Sequence, residues 1–317
     1  METFQYCLRK LLYGIPLILG VTLISFVLMV EFGPDKTYEL IGKNATPEQI
    51  AEIHHQLGYD QPFFLRYAHF LGEIAAFDFG FSDSSGEKVT SILQETIPVT
   101  IALSLPGFVL GNLVGILLAL WAAWFRGTRI DKGIMAVAVV GMSISFVIVI
   151  IAFQYLFCSS YGLNLFPVTG WDVDGLASYL KFVTVPTLCS VFVAMGYNTR
   201  FYRAIFVEEL TRDHVRTARA FGTPTVSLLF KSILKNSMIP IITRVVFTLP
   251  FIIIGGSLLI ESYFGIPGVG QVTYDAIASG DLPILKAVVS LTAVMYVLVL
   301  TVIDILYRMV DPRITIT

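Results

Sequence analysis

The sequence predicts an all-α membrane protein of about six transmembrane helices, with a small external domain between the first two. Three observations predict it: an apolar excess, the length of the apolar runs, and basic residues gathered on one side. Of 317 residues, 56% are hydrophobic and only 14% charged, where a soluble domain carries about 25% charged residues. The mean hydropathy of +0.78 agrees. Several apolar stretches exceed the roughly 18 residues that read as a membrane span, which argues against one large soluble core.

The candidate spans are 11–30, 97–124, 133–157, 182–206, 238–260 and 285–306. Each is long enough for a hydrocarbon core of roughly 30 Å at about 1.5 Å per residue. Arg9 and Lys10 before the first run suggest a signal peptide, but Glu31-Phe32-Gly33-Pro34 follows it, not a small-residue cleavage site. That run therefore reads as a retained helix. Pro106 and Pro250 fall inside spans, where neighbouring helices can satisfy the freed carbonyls.

Orientation follows the Lys and Arg residues. Fourteen lie in the N-terminal stub, the second-to-third and fourth-to-fifth connections and the tail, against six in the opposite loops. Arg244, near the start of the fifth span, falls on the richer side. Both termini and the loop 200–236 are expected in the cytoplasm, and the chain in the cytoplasmic (inner) membrane. The loop 31–96, with eleven acidic and four basic residues, is expected outside. Within it, Thr46-Pro47-Glu48-Gln49 reads as an N-cap and first turn of a short amphipathic helix ending near Gly58. The expected organisation is 1–30 (N-terminus and first span), 31–96 (external domain), 97–310 (a five-helix core carrying the 200–236 loop) and 311–317 (tail).

Catalytic constellations are missing from the sequence: it has no Gly-x-Ser-x-Gly, no His-Glu-x-x-His and no phosphate-binding Gly-x-x-x-x-Gly-Lys. Cys7, Cys158 and Cys189 are far apart and read as small core residues. His54 and His55 are adjacent and do not share a helix face, which makes them a poor metal pair. No metal and no cofactor are expected in this chain. The net charge of −2 argues against a nucleic-acid partner.

The loop 200–236 is the most informative part. Glu208 with Arg212, and Asp213 with Arg216, suit surface ion pairs on a charged helix. Thr217-Ala218-Arg219-Ala220-Phe221-Gly222 follows: the alanines allow close approach and Gly222 a sharp turn. Thr223 can N-cap and Pro224 start a second, short helix, on which Val226, Leu229 and Phe230 share a face. Such a stripe suits a groove on a partner protein or the membrane surface; pattern alone leaves both open. In the fifth span and its exit, Gly255 and Gly256 remove bulk and Glu261 stands at the external end. They fit either a translocation path or tight packing through small residues.

The run Arg216-Thr217-Ala218-Arg219-Ala220, with Gly222, resembles the cytoplasmic coupling loop of ABC-importer permeases of the dipeptide, oligopeptide and nickel branch. Leu234-Lys235-Asn236-Ser237-Met238-Ile239-Pro240 and Glu261-Ser262-Tyr263-Phe264-Gly265-Ile266-Pro267-Gly268-Val269-Gly270 resemble that branch's later signatures. So do Asp281-Leu282-Pro283, Asp304 to Tyr307, Asp311-Pro312-Arg313, Asp78-Phe79-Gly80-Phe81-Ser82 and Pro167 to Trp171. Two departures stand out. The first triplet is Arg216-Thr217-Ala218 where the general importer loop has Glu-Ala-Ala, and Phe221 replaces a common Lys. The resemblance implies a non-catalytic permease subunit, embedded in lipid, that imports peptides or peptide-like substrates. A nickel or metal-chelate importer is the alternative within the branch. It further implies a second homologous permease, two cytoplasmic ATPase subunits and an extracytoplasmic binding protein. Thr217, Ala218, Arg219, Ala220, Gly222, Val226, Leu229 and Phe230 would then couple to an ATPase. A secondary transporter fits less well, because no internal repeat is apparent and only Asn112 and Gln154 stand out at mid-span.

Overall fold

The structure is a computed structural model that describes residues 2–32, 46–56, 60–253 and 258–310. The described residues are helical apart from turns and one isolated antiparallel bridge, Phe81 to Lys88. Four helices are long and apolar enough to cross a membrane, and up to six spans result if each of two bent helix pairs is one span. The chain divides into two compact units, the first reaching to Thr96 and including Val272–Leu298, the second Ile97–Gln271 with the chain from Val299 onward.

In the first unit, α1 (Glu2–Phe26) continues as a π-helical turn, Val27–Glu31. Next come α2 (Pro47–Gln56) and α3 (Phe63–Ala75). Thr46 and Gln49 cap α2 reciprocally: Thr46 N donates to Gln49 Oε1 at 3.0 Å and Gln49 N to Thr46 Oγ1 at 3.4 Å. Thr46 is thus the N-cap that the Thr-Pro-Glu-Gln run predicts, and Gln49 completes a capping box with it; the expected stop at Gly58 lies outside the described residues. α3 packs on α1 through Phe26, whose ring centroid lies 5.4 Å from Phe63, 5.5 Å from Tyr67 and 5.3 Å from Phe70. Tyr67 OH also donates to the Leu19 carbonyl at 2.8 Å.

α4 (Val89–Trp124) begins in the first unit and continues through the second, followed by α5 (Arg129–Ser143), α6 (Phe146–Cys158) and α7 (Leu176–Glu209). The expected single span 133–157 is instead α5 and α6, bent by 100°. Ile144 and Ser145, with ψ of 134° and 135°, leave the helical region between them. Hydropathy measures how apolar a run is and carries no information about such a bend.

Close packing organises the second unit. Gly107, Gly111 and Gly115 form an i, i+4, i+8 row on α4 that faces Ser190, Ala194 and Asn198 on α7, at the same spacing. A Cβ at these glycines would stand 2.8, 2.8 and 2.6 Å from the facing Cβ atoms. α5 approaches α7 as closely: a Cβ at Gly196 would lie 2.7 Å from the Ala138 carbonyl oxygen. Where lipid offers no hydrophobic drive between helices, small residues gain dispersion contacts in this way. At the head of α5, Asp131 is gripped by Arg203 from α7, with Nε to Oδ1 and Nη2 to Oδ2 both 2.6 Å. Gly127 N adds a third donor at 2.8 Å. This buried fork is expensive to break from one side only.

Candidate functional site

After α7 the chain forms α8 (Asp213–Ala220), then a helical segment Thr225–Leu234, here α9, that is π-helical from Leu228 to Leu234. α10 (Met238–Ile253) follows α9 with a bend of 63°. The predicted ion pairs form, Arg212 to Glu208 at 3.7 Å and Arg216 to Asp213 at 3.6 Å. Glu209, which sequence reasoning passed over, is buried and more firmly held. Arg212 Nε lies 2.9 Å from its Oε2. Asn236, just past α9, donates from Nδ2 to His214 Nε2 at 3.0 Å, which leaves that nitrogen, 3.2 Å from Glu209 Oε1, no proton for the carboxylate. The two ends of the loop are thus tied together.

The base of this hairpin is sunk in a cluster in which Tyr202, Phe206, Val215, Leu228 and Ile233 are fully buried. Its tip is apolar and open: Phe221 is 84% exposed, Val226 67% and Phe230 46%. Leu229, expected beside Val226 and Phe230, is half-buried and packs against the cluster. The wider π-helical winding explains this. Buried Leu228 and Ile233 are five apart, a spacing that an i, i+3, i+4 pattern does not anticipate. The start of α9 also shifts by one residue: Pro224, at φ −54° and ψ 143°, occupies the cap that Thr223 was expected to fill. Gly222 has φ +74°, which presents the tip, and a Cβ there would meet nothing within 4 Å. On α8, Thr217 Oγ1 donates to the Asp213 carbonyl at 2.9 Å. Ala218 packs against the cluster, Ala220 is exposed, and the Arg219 guanidinium stacks 4.9 Å over the Trp124 ring.

Gly255 and Gly256 lie outside the described residues. Glu261, on α11 (Leu258–Phe264), is fully buried. Thr100 Oγ1 donates to its Oε1 at 2.9 Å and Gln271 N to its Oε2 at 3.1 Å, while Val269 N donates to Thr100 Oγ1 at 2.8 Å. Thr100 and Glu261 therefore cap the first turn of α12 (Val269–Ser279), where a carboxylate also meets the positive end of the helix dipole. A Cβ at Gly268 would sit 2.5 Å from Thr100 Oγ1, which explains that glycine. In this geometry Glu261 acts as a cap.

Other motifs distant in sequence also meet as clasps. Asp281, the N-cap of α13 (Leu282–Val310), accepts at Oδ2 from Ser82 Oγ at 2.5 Å, Ser84 Oγ at 2.8 Å and Ser84 N at 3.1 Å. Its Oδ1 accepts from Ile284 N at 3.4 Å. Burial pushes this carboxyl up, but the Ser82 and Ser84 donors outweigh it and hold it below the usual carboxylate value of 3.8. The 78–82 motif and Asp281-Leu282-Pro283 are therefore two halves of one joint. The 167–171 motif likewise meets 263–265: Gly170 N donates to the Phe264 carbonyl at 2.8 Å. Gln154 Nε2 donates to the Val168 carbonyl at 2.8 Å.

Residues 111–316 match the family described as binding-protein-dependent transport system inner membrane component, and residues 3–104 match the N-terminal part described for the same class of protein. The chain belongs to this family. It is 31% identical to a putative peptide transport system permease protein of Brucella abortus over 312 residues, 97% of this chain and 98% of that protein. It is 31% identical to a dipeptide transport system permease protein of Lactococcus lactis over 313 residues, 98% of this chain and 99% of that one. A glutathione transport system permease protein of Salmonella choleraesuis is 30% identical over 311 residues, 98% of each. As a family member the chain is a multi-pass inner-membrane component of an ABC importer that works with a binding protein.

Proposed function

We propose that the chain is the permease subunit of an ATP-driven importer of peptides, paired with a second homologous permease and driven by two ATPase subunits. The observation that carries the coupling role is the hairpin 213–234, with an apolar tip of Phe221, Val226 and Phe230 in the open and its base fixed in the core. The peptide substrates in the relatives' names support the peptide class. In this reading the tip enters a groove on a cytoplasmic ATPase, with Thr217, Ala218, Arg219, Ala220, Gly222 and Leu229 shaping the hairpin behind it. The chain does no chemistry itself: closure of the ATPases moves the hairpin, and the helices switch between inward- and outward-open packings. The charge asymmetry supports cytoplasmic placement of the hairpin and both termini, and external placement of 31–96.

An aromatic anchor buried in such a groove contributes roughly 2 kcal/mol or more, and an Asp there adds the cost of a buried charge. Phe230→Asp should therefore lose both pull-down of the ATPases and peptide uptake while inserting normally. Retention of both would move the docking role elsewhere and leave the tip as a membrane-surface element.

A further inference from the structure

Arg244 is the only Lys, Arg, Asp or Glu between Lys235 and Glu261, and it sits within α10. An ionised residue inside a membrane helix is costly and is kept for a partner. Arginine stays charged, so neutralisation is no escape. Among the described residues no carboxylate lies within 4 Å of its guanidinium. The group is nonetheless positioned. It lies 4.7 Å over the Phe201 ring, and its Nε donates to Asn198 Oδ1 at 3.5 Å. Asn198 is held in turn: its Nδ2 donates to the Gly111 carbonyl at 3.5 Å and to Asn112 Oδ1 at 3.3 Å. Tyr202 OH donates to the same Asn112 oxygen at 2.7 Å, and Asn112 Nδ2 to the Phe108 carbonyl at 2.9 Å. Every member of this relay is in place, while the two terminal nitrogens of the half-exposed Arg244 make no hydrogen bond among the described residues.

A planar fork with its Nε edge anchored and its far edge open has the geometry for bidentate capture of a carboxylate. We propose that Arg244 is a substrate-reading residue that binds the C-terminal carboxylate of the peptide during passage. This rests on the peptide reading above.

The test uses the whole importer, with its ATPases and binding protein, reconstituted in vesicles. Uptake is compared for one tripeptide as free acid and as C-terminal amide, after correction for the affinity of the binding protein for each. Wild type should prefer the acid. In Arg244→Gln acid uptake should fall roughly ten- to a hundredfold, the worth of hydrogen bonds to a charged group, and the acid-to-amide ratio should collapse. Arg244→Lys, which keeps the charge but not the fork, should fall between, with the melting point of the purified complex as the control for folding. An equal fall for acid and amide would make Arg244 a packing residue and overturn the proposal. So would an unchanged ratio together with loss of a copurified anionic phospholipid, which would assign the fork to a lipid phosphate. If wild type imports no peptide at all, the peptide reading and this proposal fall together; if it does and the ratio survives in Arg244→Gln, only the Arg244 proposal fails.

Discussion

Gly222 isolates the backbone contribution to the proposed coupling. Its φ of +74° is in the left-handed region, and a Cβ there would meet no atom within 4 Å, so a substitution costs conformational energy and no clash. For an L-residue that region costs roughly 1–2 kcal/mol, Asn being better tolerated and β-branched residues worse. The turn displays Phe221 on one side and Val226 and Phe230 on the other. A cost of about 2 kcal/mol lowers the population of the presented form about thirtyfold, since about 1.4 kcal/mol is a factor of ten. ATPase affinity should rank wild type, Gly222→Asn, Gly222→Ala, Gly222→Val, with valine weaker than wild type by roughly ten- to thirtyfold on the same conversion. The assay is titration of purified ATPase against the detergent-solubilised permease pair, with uptake in parallel. If Asn, Ala and Val were equally damaging, any side chain at 222 would clash with the partner and the φ argument would fail. If Val bound like wild type, the tip would not depend on this turn.

Glu261→Gln should keep part of the α12 cap, because an amide oxygen still accepts, whereas Glu261→Ala should lose about 1–3 kcal/mol through unsatisfied Thr100 and Gln271 donors; melting of the purified complex ranks the two, and equal melting points would remove the capping role. Asp281 titrates below its unfolded value of 3.8, so its contribution is fully present above about pH 4 and is lost as pH falls through the lowered folded value. The melting-point gap between wild type and Asp281→Ala should accordingly be constant from about pH 8 to pH 5 and shrink below about pH 4; a gap that grows on acidification would contradict the clasp. In a cysteine-free background, an impermeant thiol reagent applied to intact cells should label Ser85→Cys and not Ser227→Cys, and the reverse pattern would invert the topology.

Most of the helical inventory was legible because apolar run length is what a bilayer selects. Trp124 ends α4 where the second expected span stops, and α7 and α13 contain the fourth and sixth. The bend between Ser143 and Phe146 was not legible, since apolar content is the same on either path. At the hairpin 213–234, the turn glycine and the exposed Val226 and Phe230 were readable from residue type, but the burial of Leu228 was not. A π-helical stretch breaks the 3.6 period on which the face assignment relied.

The charged and polar residues show the other limit of a linear reading. Glu261, Asp281 and Asp131 could each be taken from sequence as pathway or surface groups, yet each is buried and met by two or more donors. Their partners lie 161, 199 and 72 positions away, a relation no local window contains. Two local signals did exist. The Gly107, Gly111, Gly115 row marks a face of close helix approach, and Asn198 with Tyr202, four apart, places two polar groups on one face of an apolar helix. Their conjunction identifies the place where a polar relay can be built without admitting lipid. Among the described residues, Arg244 is the one charge brought to that relay, and its far edge is left open there.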